Sequence, residues 1–122
     1  MKTQTRIRAA ESAYVAAMNI VSAAVVSAVT AHDTCITHRT AYHEARTIAD
    51  DAFRAYRASV DGATRKAYDS AVCAVFRADR MLKTANAAYS GLFTDYRAAL
   101  KKANAAKLKF DKLSNSVIFS AQ

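Results

Sequence analysis

The sequence predicts an all-α protein, a long antiparallel helical hairpin, from three observations: it contains no proline, it has two glycines in 122 residues, and a seven-residue apolar repeat is written along it twice. Pro and Gly are the residues a helix interior tolerates least, costing roughly 3 and 1 kcal/mol relative to Ala. Ala is the commonest residue here. The length suits a single helical domain, 1–122, with a modest core.

The first arm, about residues 4–60, follows from the apolar or amphipathic series Ile7, Tyr14, Val21, Ala28, Cys35, Tyr42, Ala49 and Tyr56. These are the a positions of a heptad. Three residues after each come Ala10, Ala17, Ala24, Ala31, His38, Ala45, Ala52 and Ser59, so the d positions are small except at His38. The turn is placed at 61–63, where Asp61 favours chain reversal and Gly62 can take a left-handed C-terminal cap. The second arm, about 64–117, repeats the pattern with Tyr68, Val75, Leu82, Tyr89, Tyr96, Ala103, Phe110 and Val117 at a, and Ala71, Ala78, Ala85, Leu92, Ala99, Ala106 and Leu113 at d. Small d residues let the two backbones approach closely.

A turn centred near Gly62 sets residue i opposite roughly 124 minus i, which places Cys35 near Tyr89 and Cys73 near Asp51. The two thiols are then too far apart to join, and Cys73, at an outer f position, is the more reactive. The alternative architecture is a monomeric up-down four-helix bundle with breaks near 32–37, which is polar and β-branched, and at Ser90-Gly91. Against it, the heptad phase passes both places without a skip. All six tyrosines fall at a positions, which assigns them to the seam with their hydroxyls at its edge.

Residues 12–31, SAYVAAMNIVSAAVVSAVTA, carry no charge, and even their outward b, c and f positions include Val15, Ala16, Ala23, Val26 and Val29. A helix that is apolar all round needs more cover than one neighbour provides. The run is just long enough to cross a bilayer. Ala, Ser, Thr and Asn19 dilute it, however, and its heptad continues unchanged on both sides. Basic residues before the run and the small residues ending at Ala31 resemble a cleaved leader; Glu11 and the length of the run weigh against that. The expectation is a second copy of the chain, held through Val15, Val26 and Val29 in a dimeric four-helix bundle.

Eighteen Lys and Arg against ten Asp and Glu give a net charge of +8. The excess gathers at the open end of the hairpin: Lys2, Arg6, Arg8, Arg97, Lys101, Lys102, Lys107, Lys109 and Lys112 face only Glu11, Asp95 and Asp111, a local balance of +6. Near the turn, Arg54, Arg57, Arg65 and Lys66 are balanced by Asp50, Asp51, Asp61 and Asp69. The basic end could meet nucleic acid, an acidic protein or anionic lipid, or simply keep an Ala-rich helix pair soluble.

Catalytic chemistry has no visible carrier. There is no HExxH, no ordered nucleophile, base and acid set, and no glycine-rich phosphate loop. His32, Cys35 and His38 have spacings that share a helix face, a weak case for a soft metal set against a polar layer that fixes register. Two cysteines without a CxxC fit a reduced, cytoplasmic setting. The functional expectation is a non-enzymatic coiled-coil protein without cofactors, a homodimer that scaffolds or inhibits a protein partner, as a phage or mobile-element accessory or structural factor does. The rivals are a sequence-nonspecific nucleic-acid binder using the basic end, and a membrane-associated protein using residues 12–31.

Overall fold

The computed structural model describes residues 2–121, with side chains described through residue 116. Two α-helices, α1 (Lys2–Ala58) and α2 (Gly62–Ala121), pack as a hairpin, with no strand among the described residues. Neither helix breaks at 32–37 or at Ser90-Gly91, so the four-helix alternative is not the structure adopted.

The side chains explain that continuity. Thr34 and Thr37 donate their hydroxyls to the carbonyls of Thr30 and Asp33, each at 3.1 Å, and so satisfy themselves on the helix instead of competing with it. Gly91 sits in open space, where the loss of about 1 kcal/mol relative to Ala does not stop a helix this rich in Ala.

The turn corrects the expected cap. Gly62 has no positive φ and is the first residue of α2; the reversal occupies residues 59–61. Asp61 caps α2 instead: Thr64 N–H donates to Asp61 Oδ1 at 2.8 Å, and Asp61 N–H donates to Thr64 Oγ1 at 3.3 Å, a reciprocal capping box. Thr64 Oγ1–H also donates to the Ser59 carbonyl at 2.7 Å, and Ser59 Oγ–H donates to Asp61 Oδ2 at 3.1 Å. Hydrogen bonds from the Thr64 N–H, the Thr64 hydroxyl and Ser59 hold the Asp61 carboxyl below its usual range. With α1 ended and α2 capped by side chains, no left-handed residue is required.

The chain forms two compact units, Met1–Val29 with Gly91–Gln122, and Thr30–Ser90. In the first, the rings of Tyr14 and Phe110 stack with centroids 6.5 Å apart. In the second, Tyr56 stacks on Tyr68 at 6.2 Å. Both pairs have residue numbers that add to 124, the expected antiparallel register.

The heptad also sorts the residues by burial. Every residue of α1 that is not exposed lies at a or d, from Ile7 to Tyr56, and the buried residues of both helices, Ala10, Val21, Ala28, Cys35, Ala49, Ala71, Ala85 and Ala103, are all a or d. All six tyrosines are half-buried, as seam residues with a polar tip should be. The side chain of Val117, the last expected a residue, lies outside those described. On α2 the half-buried set also takes in Val72, Asp79, Leu100 and Ser114, all at e, and Ala74 at g.

Candidate interaction surfaces

Two helices cover each other along one stripe only, and what they leave outside is unusually apolar between residues 12 and 31. Val15 is 52% exposed, Val26 66% and Val29 53%. The structure adds residues that b, c and f positions alone do not reveal: Met18 and Val25 at e, and Ile20 at g, are exposed as well. Their signal was present in the sequence as a second 3-4 spacing, Val15, Met18, Ser22, Val25, Val29, displaced one step round the helix from the a/d seam. By length and composition α1 also passes as a membrane span; of its most apolar stretch, 11% is buried.

The edges of the hairpin follow antiparallel rules. In the second unit Phe53 and Val72, both at e, border one shallow groove with Ala49, Tyr68, Val75 and Phe76. In the first, Arg6 and Lys109, both at g, flank a groove floored by Ala10, Ala13, Ala106 and Leu113. Like edges therefore meet, e with e and g with g. Leu100, at e on α2, thus belongs to the edge that carries Met18 and Val25 on α1.

All nine basic residues expected at the open end, Lys2, Arg6, Arg8, Arg97, Lys101, Lys102, Lys107, Lys109 and Lys112, are exposed. Neither described ion pair, Arg54 with Asp51 or Lys83 with Asp79, involves them. They do not make one track, because their heptad positions run from b and c through e, f and g. Only Arg6, Lys102 and Lys109 share an edge. The Arg97 guanidinium lies 5.9 Å from the centre of the Phe93 ring, an exposed cation on an aromatic face.

Cys35 is buried and Cys73 exposed, both as free thiols. His38 is half-buried at d, whereas the exposed His32 places its ring 5.4 Å from that of Tyr89. Among the described residues no group of three or more His, Cys, Asp and Glu converges as metal ligands would. No protein-family model, curated protein or solved structure matches the chain.

Proposed function

We propose that this chain is a non-enzymatic interaction protein that self-associates through the outward face of α1 and acts by presenting helical surface to a protein partner. The observation that carries the reading is the exposure of Val15, Met18, Val25 and Val29 within a stretch free of charge. Large exposed apolar patches on a soluble chain mark interaction sites. Burying a valine completely is worth roughly 1.5–3 kcal/mol, so half-exposed valines return about 1 kcal/mol each, while association costs about 4 kcal/mol or more. Three valines from each copy barely meet that cost. Met18, on the same face, supplies the margin.

A second copy suits this face better than a bilayer does. Val21 and Ala28 are buried in the seam, and the α2 segment of the same unit carries Lys101, Lys102, Lys107 and Lys109. Crossing a membrane would strip α2 away or take four lysines into lipid. Light scattering on a size-exclusion column tests the reading: a dimer at micromolar concentration is expected, and a monomer there overturns self-association.

The second reading, nonspecific nucleic-acid binding, draws on the exposed basic end and on Arg97 over Phe93. It requires retardation of DNA or RNA that weakens steeply with salt and is lost when Lys101, Lys102, Lys107 and Lys109 become Gln with helicity intact. Absence of salt-sensitive retardation at low ionic strength removes it.

A further inference from the structure

Resting on the self-association reading, we infer that the second copy docks antiparallel on α1, about a two-fold axis at Ser22. The residues Val15, Met18, Ser22, Val25 and Val29 occupy alternating b and e positions, with the 3-4 spacing of the hairpin seam itself. Rotated about Ser22, this seam meets itself. Val15 falls opposite Val29 of the second copy, Met18 opposite Val25, and Ser22 opposite its own counterpart.

The offsets match those inside the hairpin. There the a residues Tyr14 and Phe110 have numbers adding to 124, and the d residues Ala10 and Leu113, which line one groove, have numbers adding to 123. In the proposed seam the b pairs add to 44 and the e pairs to 43, the same one-residue step. The small Ser22 at the centre permits close approach of the helix axes. Leu100, half-buried on the e edge of α2, extends the apolar surface on one side of the seam.

Charge selects both occupant and direction. Residues 12–31 carry no Asp, Glu, Lys or Arg, so charged side chains laid on these valines would lose hydration and gain no opposite charge from α1. A second copy brings the same neutral stretch. A parallel arrangement would set the basic N-terminal turns, with Lys2, Arg6 and Arg8, of the two copies side by side; the antiparallel one sends them to opposite ends of the seam.

Single cysteines introduced on a Cys73→Ser background and treated with a short thiol cross-linker test the arrangement. Positions 15, 22 and 29 are exposed, so the substitutions leave the a/d seam intact. Ser22→Cys is expected to give covalent dimers. Val15→Cys is expected to join Val29→Cys when the two are mixed, but not to join itself, since two copies of position 15 stand about 21 Å apart at 1.5 Å per residue. Dimers in which Val15→Cys joins itself overturn the antiparallel seam and leave self-association standing. So do dimers by light scattering that none of the three positions cross-links. A monomer by light scattering overturns both.

Discussion

The ring of Tyr14 lies on the ring of Phe110, centroids 6.5 Å apart and planes 22° from parallel, and this contact fits the 124-minus-i register of α1 on α2 within its unit. Tyr56 on Tyr68, 6.2 Å apart and 14° from parallel, does the same in the other unit. Offset-stacked aromatic pairs contribute about 0.5–1.5 kcal/mol beyond the area they bury. A double-mutant cycle on Tyr14→Ala and Phe110→Ala, read by urea unfolding, should therefore return a coupling of about 1 kcal/mol. A coupling near zero would mean that the rings are neighbours without being partners.

Ala103 is 1% exposed, and the register sets it opposite Val21, itself buried. Adding bulk to such a site forces the axes apart. Ala103→Leu should cost roughly 1–3 kcal/mol, whereas Ala105→Leu, on the exposed face two residues on, should change stability little. Equal unfolding midpoints for the two variants would contradict a tight small-residue seam.

Asp61 gives the fold an acid-sensitive joint. Its carboxyl is held below the ordinary value of 3.8 by hydrogen bonds from Thr64 and Ser59, so it contributes stability above that value. The contribution fades as pH falls from there through the lower folded pKa. Asp61→Asn should keep the cap and lose that part of the acid dependence; Asp61→Ala should lose both, with a lower midpoint at neutral pH. Identical pH profiles for the wild-type and Asn proteins would rule out the carboxylate as the source.

Gly91 has an ordinary helical φ, and a Cβ there meets nothing within 4 Å. Gly91→Ala should accordingly stabilise the protein by about 0.5–1 kcal/mol, largely by narrowing the unfolded ensemble. Thermal unfolding followed by circular dichroism reads the shift; a lower midpoint would show that this position needs glycine.

The two thiols should report on the seam from either side. Cys73 is exposed and Cys35 is 3% exposed, so a maleimide should modify Cys73 at once and Cys35 only at the rate at which the helices open. Mass spectrometry after timed labelling separates the two. Equal rates would place Cys35 outside the seam.

Heptad spacing, with a turn placed near Gly62, determined that both arms are helical, which residues form the seam, that the arms of the hairpin pair as 124 minus i, and that residues 12–31 have an apolar outer face. These properties are periodic, and a period of three and four residues is written directly in the order of side chains. The tertiary structure decided what is not periodic. Asp61, Thr64 and Ser59 close the turn through hydrogen bonds that need three side chains in place at once, which left Gly62 with no left-handed role. Thr34 and Thr37 keep α1 helical where composition suggested a break, because their hydroxyls find carbonyls one turn back. The basic residues cluster along the chain yet spread around the helices, since like edges meet only when α2 is laid antiparallel on α1. That same packing covers Val21 and Ala28 and leaves Val15, Met18, Val25 and Val29 outside. One neighbouring helix can shield one stripe of another, and the rest of an apolar surface stays in water until something else covers it.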